Sequence, residues 1–123
     1  RILGAKELRA MRELVRQVPA SSDVVRLVST LILATHPTTD LAPERVRTFV
    51  RYGASPRGGQ AILLAGKARA LTRGRVHVTV EDVEALAVPA LRHRVLLGYE
   101  GEAASITTDD LIVDAMAAAK RAS

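Results

Sequence analysis

The chain contains no cysteine and no tryptophan, and its aromatic side chains are one phenylalanine and two tyrosines, Phe49, Tyr52 and Tyr99. Without cysteine there can be no disulfides, thiolate metal sites, iron–sulfur clusters or thiol nucleophiles. The three histidines, His36, His77 and His93, lack the i, i+4 spacing that sets two imidazoles on one helix face, so the commonest zinc-enzyme pattern is missing. No apolar run reaches the roughly 18 residues of a membrane helix. The longest candidate, around Leu27 to Ala34, is broken by Ser29 and Thr30, and a soluble, cytoplasmic protein is expected. Basic runs of the kind that form nucleic-acid tails are also absent, because the arginines are dispersed.

What remains is the composition of a folded module. Over 123 residues, 48% hydrophobic and 25% charged content suit one globular domain with a packed core. With so few aromatics that core must be built from Leu, Val, Ile and Ala, which favours closely packed helices. A net charge of +5, from 18 Lys and Arg against 13 Asp and Glu, makes an anionic ligand, nucleic acid or an acidic partner worth weighing without choosing among them.

Periodicity and punctuation predict an all-α fold of five or six helices. Leu8, Met11, Val15 and Val18 recur at helical spacing from Lys6 to Val18, and Pro19 stops that helix. A second begins at Ser21 or Ser22, carries the stripe Val24, Leu27, Val28, Leu31 and Ile32, and ends near Thr35, because Pro37 disfavours helical geometry at the residue before it. His36 is then expected as an exposed residue at that helix end. A short helix opens with Pro43, turns Val46, Phe49 and Val50 inward and ends at Gly53. The next starts at Ser55-Pro56 and runs to about Arg73, with Ala61, Leu64, Ala65, Ala68 and Leu71 on one face. Gly66 in its interior, about 1 kcal/mol less favourable than Ala, points to close approach of another backbone. Val76 to Val78 alternates like a very short β bridge, with His77 as its exposed member. Thr79 then caps a helix, with Asp82 at the capping-box position. Pro89 either kinks this helix or starts another through Leu91 to Val95. A loop from Gly98 to Ile106 leads to a last cap at Thr107 and a helix from Thr108 to about Lys120.

One segment concentrates devices for holding an anion. In Gly53-Ala54-Ser55-Pro56-Arg57-Gly58-Gly59 a helix start offers free N–H groups and the positive dipole end, and Arg57 adds a planar fork suited to phosphate oxygens. Gly58 and Gly59 would let a ligand approach without obstruction. The plain alternative is an ordinary Ser-Pro helix start with a solvated arginine.

This run, beginning at Val50-Arg51-Tyr52, resembles the C-terminal lid of MoxR-family AAA+ ATPases, as do Gln60-Ala61, Lys67-Ala68-Arg69-Ala70-Leu71 and Val78-Thr79-Val80-Glu81-Asp82-Val83. Leu91-Arg92-His93-Arg94, Tyr99-Glu100 and Thr108-Asp109-Asp110 extend the likeness, in order, over nearly the whole chain. Two positions depart from it: Gly66, where the family more often has Ala, and His36, where Arg is common. The resemblance implies that residues 1–123 are a lid domain following an α/β nucleotide-binding domain. It also implies that Arg57 is the sensor-2 arginine reaching the nucleotide phosphates, with Ser55, Pro56 and Gly58 beside it. No phosphate loop G-x-x-x-x-G-K-[ST] occurs and no hydrophobic strand ending in paired acids, so the chain alone holds no catalytic residues and is expected to bind no cofactor. ATP with Mg²⁺ belongs to the parent protein. The further implications are a ring homo-oligomer, a hexamer, that contacts its own nucleotide-binding domain and remodels partner proteins, among them proteins with von Willebrand factor A domains. Arg92 and Arg94 either answer the dipole at a helix end or make subunit contacts. The competing readings are a basic, histone-fold-like DNA-binding module, against which Gly53 and Pro56 interrupt the place of a long central helix, and a helical adaptor.

Overall fold

A computed structural model describes residues 3–123. The chain folds as α1 (Ala5–Arg16), α2 (Ser22–Ala34), α3 (Glu44–Phe49), β1 (Val50–Tyr52), α4 (Pro56–Thr72), α5 (Val80–Leu91), β2 (Leu96–Leu97), α6 (Tyr99–Ala103) and α7 (Thr108–Ala122). The all-α expectation holds in its essentials, with one two-stranded antiparallel ribbon, β1 with β2, added.

Helix starts follow local chemistry. Ser21 accepts from the Val24 amide at 3.2 Å, and Thr107 accepts from the Asp110 amide at 3.2 Å. Thr79 and Asp82 form the predicted capping box. The core is where α2, α4, α5 and α7 meet. Leu27, Val28 and Leu31 of α2 are buried with Ile62 of α4, Val83, Ala87 and Leu91 of α5, and Leu111, Ile112 and Ala115 of α7. The α2 stripe read from periodicity is thus the stripe that is buried.

Several expectations are corrected. No residue of α1 is buried, and Leu8 and Met11 are 48% and 52% exposed, because α1 lies along α4 with no second helix covering it. Val18, just beyond it, is buried. Helix α3 stops at Phe49, and Val50 to Tyr52, where β-branched Val50 and aromatic Tyr52 flank Arg51, extend into β1. The bridge expected at Val76 to Val78 does not form; Val78 is buried and its amide donates to the Pro19 carbonyl at 3.1 Å. Pro89 lies inside an α5 that runs on to Leu91, so no new helix begins there. The expected loop after Gly98 contains α6, whose Gly101 lies so close to α3 that an added Cβ would sit 2.9 Å from the Phe49 carbonyl oxygen.

Helix α4 also turns a different face inward. Gly58, Gly59, Ile62, Gly66 and Ala70 are buried, whereas Leu64 is 49% exposed. The smallest residues form the contact because they let α4 approach its neighbours closely. A Cβ at Gly59 would lie 3.2 Å from Val28, and one at Gly66 would lie 3.2 Å from Val78 Cγ1, so the close neighbour of Gly66 is a side chain rather than a backbone.

Candidate functional site

The start of α4 is held between two other elements. Gly59 packs on Val28 and Ile32 of α2, and a Cβ at Gly58 would lie 2.7 Å from Leu91 Cδ2 and 3.3 Å from Arg94 Cδ. The missing side chains of Gly58 and Gly59 therefore accommodate helix neighbours rather than an approaching ligand, which corrects the reading from spacing. Ser55 is the N-cap with Pro56 at the first helical position, as expected, yet the Ser55 hydroxyl makes no capping bond. Its carbonyl accepts from the Gly58 amide at 2.9 Å. At Ser21, Thr79 and Thr107, by contrast, the cap side chain occupies an amide of the first turn.

Arg57 stands on the outer side of this turn, exposed. Among the described residues no carboxylate pairs with it, as none pairs with Arg73 or Arg94; what sets Arg57 apart is its place in the first turn of α4. The chain therefore presents an uncommitted guanidinium at the positive end of a 17-residue helix.

The residues leading into α4 are fixed from α2. The Ala54 amide donates to Thr35 Oγ1 at 3.0 Å, and the Ala54 carbonyl accepts from His36 Nε2 at 2.6 Å. His36 is half-buried in this contact, not the exposed helix end expected of it. A Cβ on Gly53 would lie 2.6 Å from the Thr35 carbonyl oxygen, so glycine is required by a backbone that runs directly against the end of α2.

At the far end of α4 the carboxylate of Asp82 is completely buried. Arg75 grips it through Nη1 to Oδ2 at 2.7 Å and Nη2 to Oδ1 at 2.6 Å, Arg69 reaches Oδ1 at 2.7 Å, and the Thr79 amide donates to Oδ2 at 2.9 Å. The hydrogen bonds from Arg75 hold this carboxyl well below the usual carboxylate range. Burial opposes them, and Thr79 and Arg69 add to the lowering.

Of the other predicted contacts, Arg92 is engaged within the chain. Its Nε and Nη2 meet Asp109 at 3.1 and 2.8 Å, and its carbonyl accepts from Thr108 Oγ1 at 3.1 Å, joining the end of α5 to the start of α7. Arg94 donates from Nε to the Ala90 carbonyl at 3.1 Å and is otherwise exposed beside Gly58. Arg94 is thus brought to the same end of α4 as Arg57, and Arg92 is turned toward α7. The sequence reading missed Thr35 and His36 as contacts of the α4 start and saw Asp82 only as a cap; no local spacing announces either role.

A sequence profile for the AAA lid domain matches residues 42–115, from just before α3 into α7. The chain belongs to the AAA lid domain family. The lid is 32% identical over 111 residues to the chaperone MoxR1 of Mycobacterium tuberculosis, covering 90% of this chain and 29% of that protein. It is 34% identical over 76 residues to the uncharacterized protein YeaC of Bacillus subtilis, covering 62% of this chain and 24% of that one. A solved structure from Cytophaga hutchinsonii, of a protein assigned as an ATPase, superposes on the lid with a TM-score of 0.85 at 28% identity, over 90% of this chain and 34% of that chain. Together these place the lid with the MoxR group of AAA+ proteins. The lid spans only 29% and 24% of the length of these two curated relatives. No helix among its described residues is long and apolar enough to cross a membrane.

Proposed function

We propose that this lid serves an ATP-hydrolysing AAA+ protein of the MoxR type as its sensor-2 module, with Arg57 contacting the phosphates of ATP. The observation that carries this reading is the exposed Arg57 guanidinium at the α4 start, unpaired with any described carboxylate and set where a helix dipole favours negative charge. Phosphate oxygens fit such a position, since a planar guanidinium can hold two of them at once. ATP supplies the bond that is broken. Arg57 binds and orients its phosphates, and the free hydroxyl of Ser55 and the exposed Pro56 lie beside them.

In this reading Mg²⁺ accompanies ATP and is held by the nucleotide-binding domain, which the lid contacts directly. Subunits assemble as a homo-oligomeric ring, a hexamer, with Arg94 facing a neighbouring subunit and Arg92 supporting it from its bond to Asp109. The protein acts in the cytoplasm as a chaperone-like remodeller, with von Willebrand factor A domain proteins among its clients. The helical bundle turns as one body with the nucleotide state. Support for rigid-body behaviour comes from the shared core of α2, α4, α5 and α7.

The test is steady-state ATP hydrolysis by the full-length protein, with nucleotide affinity and oligomer size measured alongside. Arg57→Ala is expected to lower turnover at least about tenfold with the oligomer intact. Unchanged turnover and affinity would sink the assignment and leave a helical interaction module.

A further inference from the structure

Both backbone polar groups of Ala54, two residues before α4, are satisfied by consecutive side chains at the end of α2. Ala54 is completely buried and Thr35 is 2% exposed, so neither group of Ala54 has water as an alternative. The Thr35 hydroxyl spends its proton on the Ile32 carbonyl at 2.6 Å, which turns a lone pair toward the Ala54 amide. A carbonyl oxygen only accepts, so the His36 nitrogen 2.6 Å from the Ala54 carbonyl must carry a proton. Gly53 completes the contact by letting backbone lie on backbone. The packing of Gly58 and Gly59 limits how far the α4 start can move, but apolar contact has no direction. The two hydrogen bonds of Ala54 do have direction, and they set the angle at which the chain enters α4.

We propose that Thr35 and His36 are positioning residues for Arg57, fixing the entry to α4 so that the guanidinium is delivered at one place relative to α2. This rests on the reading of Arg57 as the phosphate contact.

The experiment is a mutant cycle on ATP turnover by the full-length protein at saturating ATP. It uses Thr35→Val and Thr35→Ser, His36→Ala and His36→Gln, and each of the disruptive variants combined with Arg57→Ala. Thr35→Val and His36→Ala are expected to lower kcat by about tenfold. Thr35→Ser keeps a hydroxyl and His36→Gln keeps an N–H at the matching reach, and both should recover wild-type kcat to within about twofold. In the Arg57→Ala background Thr35→Val and His36→Ala should cost nothing further. A residue that merely holds the fold together would lower the active fraction by the same factor in both backgrounds.

Equal losses with and without Arg57 would overturn the proposal, as would wild-type kcat in both Thr35→Val and His36→Ala while Arg57→Ala is impaired. If Arg57→Ala itself turns over normally, the phosphate assignment falls and the positioning role falls with it, an outcome distinct from the other two. Should Thr35→Val fail to fold, the half-buried His36 carries the test through its Ala and Gln pair.

Discussion

Asp82 and Arg69 meet at 2.7 Å between α5 and α4, with the carboxylate fully buried and the arginine side chain 25% exposed. Arg75, from the turn between the two helices, closes on the same carboxylate at 2.6 Å. One negative charge thus ties three segments together at the end of α4 opposite Arg57. Removing it would leave two arginines facing a buried place without a partner. Asp82→Ala is expected to destabilise the chain by about 3 kcal/mol, toward the lower end for a broken buried ion pair because both arginines retain some solvent. Urea unfolding of the two chains measures the difference.

The same carboxylate predicts a pH dependence. Its pKa is depressed by folding, so the stability it contributes is fully present above the ordinary carboxylate value of about 3.9 and is lost as pH falls toward the lower folded value. Acidification from neutrality to about pH 3 should therefore weaken wild type more than Asp82→Asn, whose side chain does not titrate there. Parallel stability curves for the two proteins over that range would contradict this.

Gly53 faces a different constraint. An added methyl group would lie 2.6 Å from the Thr35 carbonyl oxygen and 2.7 Å from its carbon, and backbone atoms cannot rotate aside. Gly53→Ala should destabilise by about 1–3 kcal/mol, as overpacking does. Gly59→Ala, whose nearest contact at 3.2 Å is a valine methyl, should cost less. Thermal unfolding of both variants gives the order.

Arg57→Ala should separate stability from function. The side chain is exposed and has no ion-pair partner among the described residues, so the melting temperature should hardly change, corresponding to within about 0.5 kcal/mol. ATP turnover by the full-length protein should nonetheless fall. A large drop in melting temperature would mean that Arg57 supports the fold instead.

How much of this was legible depended on range along the chain. Caps at Ser21, Thr79 and Thr107 act within three residues, and the helices they begin lie where the sequence put them. The Ser55-Pro56 start of α4 was legible for the same reason, since serine before proline marks a helix start locally. The inward face of α4 was not. Its contact residues include Gly58, Gly59 and Gly66, which carry no hydrophobic signal, while Leu64 carries a strong one and points to water. The ribbon was missed because strands of two and three residues have no readable period, and each forms only against a partner distant in sequence. His36 reads from the sequence as an exposed residue at the end of α2 because the Ala54 carbonyl that engages it lies 18 residues further on.

The ribbon of β1 and β2 also acts as a neck. Val50 pairs with Leu97 and Tyr52 with Leu96, so the length of chain that holds α4 and α5 leaves and re-enters the rest of the molecule at one point. Its far end, the turn around Gly74, is closed a second time by the grip of Arg69 and Arg75 on Asp82. Residues 72–74 and 76–77 of that turn are exposed and open to a protease. A single cut there would leave the α4 piece joined to the α5 piece at the neck, at the ion cluster and through the core. Peptide continuity between the two helices is therefore not what keeps them side by side.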